Sequence, residues 1–207
     1  MTTTEFTICN KALALLGQSS ISDFTTDDKA VKCGALYPTY SQFLLSMYNW
    51  HFARKKSGSL SSTTAPTFGY TYAFTMPTDT LNIVNVYNST DKQVAPQSRY
   101  ERFGAVLHTE FTPAYLDYTY DIDEDLWPSW YQEFVATALA SRFAVSITED
   151  DSKAQYYAQL AFGTPSENGE GGMYMMCKRI DSRQQPAKSF PGQSLVAARF
   201  SGGRGSS

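Results

Sequence analysis

The densest cluster of residues that could do chemistry is the acidic run Asp121–Asp125, which reads D-I-D-E-D. Alternating acidic residues of this kind open the calcium loop of an EF-hand, where carboxylate oxygens bind the ion. That loop also needs a glycine at its sixth position and an acidic residue at its twelfth, which here are Leu126 and Gln132. The run therefore predicts a solvated acidic segment ahead of a helix, where negative charge is favourable, and no metal site.

Other reactive side chains are few and scattered. The two histidines, His51 and His108, are too few for a histidine-based metal site, and we expect His51 to be a packed strand residue. Three separated cysteines are typical of thiols that pack as small apolar groups in a reducing compartment. The glycine-rich stretches near Gly169 and Gly202 lack the lysine of a phosphate-binding loop. We expect no catalytic residue, no cofactor and no metal, and hence that the protein is not an enzyme.

The stretch from Ala30 to Ala53 organises the rest of the chain. Pro38 interrupts its helical pattern without changing the phase, so we expect a kink and not a break. The pattern stops at Trp50, and His51–Lys55 is predicted to enter a strand. Trp50 and Phe52 are therefore predicted to form the structural joint between helix and strand. The helical face has apolar residues three and four apart, namely Ala30, Cys33, Tyr37, Tyr40, Leu44 and Met47.

Further helices are predicted near both ends of the chain. The first runs from about residue 3 to residue 16, and a third runs from about Trp130 to Ile147. A shorter fourth helix begins after Asp150 and is broken by T-P-S-E-N-G-E-G-G. Small side chains four apart allow close contact between helices, and we expect the third helix to use such a stripe in packing between subunits. The stripe consists of Ala136, Ala140 and Ala144.

The middle of the chain has the pattern of β-structure. Residues 70–76 alternate large apolar side chains with small ones, which predicts a strand with one apolar face. Two further strands are predicted at residues 81–87 and 116–120. The predicted fold class is α+β: an antiparallel helical bundle with an inserted small antiparallel β-domain and an extended C-terminal arm. The predicted boundaries are 1–51 and 126–180 for the bundle, 52–125 for the β-domain and 181–207 for the arm.

Charge and composition point to partners. The net charge is −3, but the residues from Met173 onward carry six basic residues and one acidic residue, which leaves −8 on the first 172. Only 18% of residues are charged and fourteen are tyrosines, which favours either surfaces covered by partners or a tyrosine-rich sheet. The longest apolar run near the N-terminus, residues 12–16, is too short to insert into a membrane. The basic tail, rich in proline and glycine after Gln184, reads as an extended segment that orders on a partner.

Four sequence landmarks occur in a fixed order. They are N-K-A-L-A-L-L-G-Q at 10–18, L-L-S-M-Y-N-W-H-F-A at 44–53, Y-T-Y-A-F-T-M-P-T-D-T-L at 70–81 and L-D-Y-T-Y at 116–120. This set resembles the tail tubular protein A family, the head-to-tail adaptors of short-tailed bacteriophages (podoviruses). The resemblance covers about residues 4–161.

The resemblance implies a structural virion protein without catalysis. It implies a dodecameric homo-oligomeric ring between the portal protein and the tail nozzle protein (tail tubular protein B), with tail fibres as candidate further partners. Genomic DNA would pass through the lumen without sequence-specific binding, and the protein would lie in the virion tail after assembly in the host cytoplasm. The C-terminal arm would bind the portal, with Lys188, Phe190, Leu195, Arg199 and Phe200 as contact residues.

Two other functions stay open from the residues alone. The first is a monomeric carbohydrate-binding module of a phage tail, with tyrosines of the β-region stacked on sugars. The second is a tail-associated hydrolase that uses Asp121, Asp123 or Glu124, against which the absence of a second carboxylate motif counts. The stacking tyrosines would be Tyr70, Tyr72, Tyr118 and Tyr120.

Overall fold

The computed structural model describes residues 4–91 and 94–184. These ranges contain five α-helices and seven β-strands, and none of the helices is both long and apolar enough to cross a membrane. The helices are α1 (Glu5–Leu15), α2 (Asp28–Ser46), α3 (Ser129–Phe143), α4 (Asp151–Phe162) and α5 (Gly172–Ser182). The strands are β1 (Arg54–Ser59), β2 (Ser61–Ser62), β3 (Tyr72–Thr75), β4 (Thr80–Tyr87), β5 (Tyr100–Phe103), β6 (Val106–Thr109) and β7 (Tyr115–Tyr120).

Local chemistry explains where the helices begin and end. The Asp27 carboxylate accepts the N–H of Ala30 at 2.7 Å and so caps α2, and Asp150 caps α4 in the same way. Helix α2 continues through Pro38 as one helix. Helix α3 passes into a π-helical turn at Ala144–Thr148, and Glu149 ends that turn with a left-handed φ of 51°.

The strands form two antiparallel sheets. Sheet 1 has the order β1-β7-β4, and sheet 2 has the order β2-β3-β6-β5. In sheet 1, Arg54 of β1 lies opposite Thr119 of β7, and Tyr87 of β4 lies opposite Tyr115. The apolar face of sheet 1 contributes Leu116 to a core that it shares with sheet 2.

The predicted helical bundle with an inserted β-domain is wrong, although the composition is mixed α+β. The structure has two sheets where one small β-domain was expected, and sheet 1 packs into the helical core. Leu81 of β4 and Tyr120 of β7 both pack against the core formed by the helices, and Tyr120 also packs against the core between the sheets. Strands β4 and β7 therefore bury apolar side chains against the helices, and sheet 1 shares a core with them.

The predicted extended arm begins in a helix. Asp181 and Ser182, its first two residues, belong to α5. Residues 185–207 lie outside the described residues, and with them the five predicted portal contacts.

Strands β2, β5 and β6 were not predicted from the sequence. Strand β2 has only two residues, both exposed, and the predicted strand entry at His51–Lys55 overlaps β1 only at Arg54 and Lys55. Strands β5 and β6 are four residues each and form a hairpin with polar residues on both strands. His51–Ala53, predicted as a strand entry, is instead a single turn of 3-10 helix.

Aromatic side chains fill the centre of the helical core. Trp50 is fully buried, and its Nε1 donates a hydrogen bond to the carbonyl of Leu44 at 3.4 Å. Its ring centroid lies 5.0–6.1 Å from those of five other aromatic rings, in geometries that favour aromatic pairs. These rings belong to Tyr48, Phe52, Trp130, Tyr131 and Tyr174, so the turn after α2 is packed against α3 and α5.

The cysteines are buried in the helical core, as the sequence predicts. Burial raises the pKa of the Cys33 thiol to about 11 and that of the Cys177 thiol to about 12. Both thiols are therefore protonated at neutral pH and behave as small apolar groups.

Replacing Trp50 by alanine should lower the free energy of unfolding by about 3–5 kcal/mol, because the substitution leaves a cavity among five aromatic rings. The measurement is urea unfolding followed by circular dichroism. Phe43→Ala is the matched control, since Phe43 is half exposed and its truncation should cost well under 1 kcal/mol. Equal losses for the two variants would contradict the central role of Trp50.

Candidate functional site

A buried carboxylate ties α5 to the turn that follows α2. Asp181 is fully buried, and its two oxygens accept the backbone N–H of His51 at 3.1 and 3.0 Å. The Nδ1 atom of His51 lies 2.7 Å from Oδ2 of the same carboxylate. His51 is therefore a hydrogen-bond partner of Asp181, and it is not the packed strand residue that the sequence suggested.

A second buried carboxylate is paired on sheet 1. Asp117 is 3% exposed, and the Arg54 guanidinium donates to both of its oxygens, with Nε 3.3 Å from Oδ1. A bidentate pair of this kind holds β1 against β7. Both buried carboxylates therefore have structural partners that occupy their oxygens.

The acidic run makes structural contacts of its own. Asp121 accepts a hydrogen bond from the Gln42 amide at 2.7 Å, and Glu124 accepts one from the Tyr37 hydroxyl at 2.8 Å. Within residues 4–91 and 94–184, no three His, Cys, Asp or Glu side chains are placed to hold a metal ion. The contacts of the run instead fix the segment before α3 against α2.

An open apolar groove lies between α2, the end of α3, α4 and α5. Two adjoining depressions of about 370 and 470 Å³ share Tyr40, Arg142 and Phe162 as walls. Phe43 and Val145, which are 50% and 53% exposed, lie along the groove. We call this surface the helix groove; Met47, Ala158 and Tyr174 complete its apolar lining.

A single guanidinium lies in the middle of the helix groove. The Arg142 guanidinium is 5.1 Å from the centroid of the Tyr40 ring, and it has no ion-pair partner in the part of the chain that the structure describes. A cation over an aromatic face is held weakly and can still bind an anion. The groove therefore suits a partner segment that combines apolar side chains with negative charge.

A second exposed apolar surface lies where the loop between β2 and β3 meets β5 and β6 of sheet 2. Phe68 is 88% exposed and lines a cleft of about 270 Å³ with Tyr70, Phe103, His108 and Glu101. The rings of Phe103 and His108 are 4.6 Å apart. We call this surface the aromatic patch.

The predicted subunit-packing stripe is used inside the chain. Ala136 is 1% exposed, and Ala140 and Ala144 are fully buried. Helix α3 makes its most extensive helix contacts with α4 and α1, so these small residues allow close packing within one chain. The exposed residues of the helix groove were not predicted as a site. The one signal that the sequence offers is Arg142, the only basic residue of the alanine-rich helix α3.

Comparisons with known proteins add no family. No protein-family model matches the chain, and no curated protein matches it significantly. The likeness to the tail tubular protein A family therefore stays a prediction from the four landmarks.

Replacing Asp181 by asparagine should lower the free energy of unfolding by about 1–3 kcal/mol, because a buried acceptor of three contacts loses its charge and one oxygen. Chemical unfolding of the purified variant measures the loss. Asp151→Asn is the control, because Asp151 is exposed and its substitution should stay within about 0.5 kcal/mol of the parent. If Asp181→Asn is as stable as the Asp151→Asn variant, the contacts between Asp181 of α5 and His51 contribute nothing to the free energy of unfolding.

Proposed function

We propose that the protein is a structural virion protein, a ring-forming adaptor that joins the portal of a short-tailed phage to the tail nozzle and forms part of the DNA channel. The observation that carries the proposal is the helix groove. A stable monomer seldom leaves Phe43 and Val145 together in an open groove with Arg142, which has no ion-pair partner among the described residues. A subunit of a ring covers such a surface with its neighbour.

The landmarks of the resemblance have structural roles that support the proposal. The Asn10 side chain donates to the carbonyl of Ile21 at 2.9 Å and accepts its N–H at 2.8 Å, which holds the loop between α1 and α2. Trp50 occupies the centre of the helical core, and Leu81 joins sheet 1 to it. The residues on which the resemblance rests are thus those that connect the elements of the fold.

The charge distribution agrees with a DNA channel. The first 172 residues carry a charge of −8, and an acidic lumen repels phosphates and lets DNA slide. Attraction through many basic contacts would instead hold the duplex in place. The basic residues after Met173 include Lys188 and Arg199, which we assign to portal binding together with Phe190, Leu195 and Phe200.

Mass photometry of the purified chain, alone and mixed with the portal protein of the same phage, tests the proposal. We expect particles of twelve times the 23.1 kDa chain mass, or a portal particle that is heavier by twelve copies. Truncation after Gln184 should abolish the portal complex while the shortened chain keeps its circular dichroism spectrum. A chain that stays monomeric in both mixtures would contradict the adaptor function.

The aromatic patch favours a second candidate function, a carbohydrate-binding module. Of the four tyrosines predicted to stack on sugars, Tyr118 is buried at 2% exposure and hydrogen-bonds Asp79. Tyr70 lines the cleft with Phe68 and Phe103, and Glu101 supplies a hydrogen-bonding group beside it. Aromatic faces with an adjacent carboxylate suit a sugar ring.

Phe68→Ala should abolish glycan binding if the patch is a sugar site, because it removes the most exposed ring of the cleft. A glycan array with the parent chain, the Phe68→Ala variant and a Phe43→Ala control measures this. Binding lost only in Phe68→Ala would support the module. An array on which the parent chain binds no glycan would contradict it.

A further inference from the structure

We propose that the segment Asp121–Leu126 of one copy binds in the helix groove of the next copy. We call this segment the acidic loop. Its two exposed acidic residues, Asp123 and Asp125, would lie against the Arg142 guanidinium, and the Leu126 side chain would enter the groove beside Phe43. This contact rests on the proposed ring, in which the acidic loop and the helix groove would be the two surfaces that meet between subunits.

The acidic loop projects an apolar side chain from a fixed backbone. Leu126 is 59% exposed, although Ile122 and Trp127 on either side of the turn are buried. Trp127 Nε1 donates to the carbonyl of Ile122 at 2.9 Å, and the N–H of Leu126 donates to the carbonyl of Asp123 at 3.1 Å. The loop is thus ordered before it meets a partner, which lowers the entropy cost of binding.

The charges of the loop and the groove are complementary. In the described part of the chain neither Asp123 nor Asp125 has an ion-pair partner, unlike Asp121 and Glu124, which accept hydrogen bonds from α2. Arg142 likewise lacks an ion pair there. Opposite charges that meet across an interface fix its register and exclude wrong partners.

The other charged residues of the groove restrict where the loop can lie. Asp151 lines the depression that contains Val145 and would repel the carboxylates. Glu170 lines the other depression but is paired with Lys178 at 3.2 Å. The loop is therefore expected over the second depression, where Phe43 and Met47 receive Leu126.

The two surfaces make a head-to-tail contact. The loop precedes α3, and Arg142 lies near the C-terminal end of this helix. Ser129 and Arg142 are therefore separated by about 20 Å along the helix axis. No residue is shared between the loop and the groove. A contact between two different surfaces repeats from copy to copy, and it closes into a ring when the rotation between copies allows.

Charge reversal tests the contact. Arg142→Glu should raise at least tenfold the protein concentration at which half of the chains are assembled in mass photometry. Combining Arg142→Glu with Asp123→Arg and Asp125→Arg should restore assembly, because the opposed charges are exchanged. Assembly of Arg142→Glu at the parental concentration would overturn the inference and leave the proposed ring intact.

Disulfide trapping tests the same contact when the parent chain forms no stable ring, so the two proposals can fail separately. A chain with Asp125→Cys is mixed under oxidising conditions with a larger, tagged chain that carries Phe43→Cys. We expect a mixed disulfide-linked dimer in at least tenfold excess over a control mixture with Ser62→Cys, an exposed residue of β2. The native cysteines are buried and do not compete. Equal yields in the two mixtures would overturn the inference.

Discussion

The burial of Trp50 is the constraint on which the rest of the structure depends. Its ring lies among aromatic side chains from α3, α5 and the turn after α2, and these three parts of the chain are distant in sequence. An aromatic side chain of this kind buries about 150–250 Å² and dominates the energetics of a core. The path of the backbone from Tyr48 to Ala53 is therefore dictated by the place that Trp50 must occupy.

Fixing this turn also fixes sheet 1. Asp181 accepts the N–H of His51, and Arg54, three residues later, begins β1 and binds Asp117 of β7. Since β7 is the central strand of sheet 1, the position of the whole sheet follows. Tyr120 at the end of β7 then contacts both cores, so the helices and the two sheets are linked by continuous packing.

Elements whose side chains show a clear period could be predicted from the sequence. Helix α2 has its apolar residues three and four apart over 19 residues, and β7 alternates large side chains. Strands β2, β5 and β6 could not be predicted, because strands of two to four residues are too short to leave a pattern. The arrangement of the elements could not be predicted either, because a period shows which face is apolar and not which element covers that face.

The alanine stripe of α3 illustrates the same difficulty in the candidate site. Small residues at 136, 140 and 144 do predict close contact, but all three are buried within the same chain. The exposed surface instead combines Phe43 of α2 with Arg142 and Val145, which are about a hundred residues away in sequence. No spacing rule connects residues that meet only in the folded chain.

The helix groove and the aromatic patch belong to different parts of the fold, so each can bind a partner of its own. The groove is walled by helices whose positions are set by the Trp50 core, so a subunit contact there would be rigid. The patch is formed by sheet 2 and the loop between β2 and β3, and the outer strands of this sheet, β2 and β5, are short edges. A partner of sheet 2 could therefore bind at Phe68 without altering the helix packing on which assembly through Arg142 would depend.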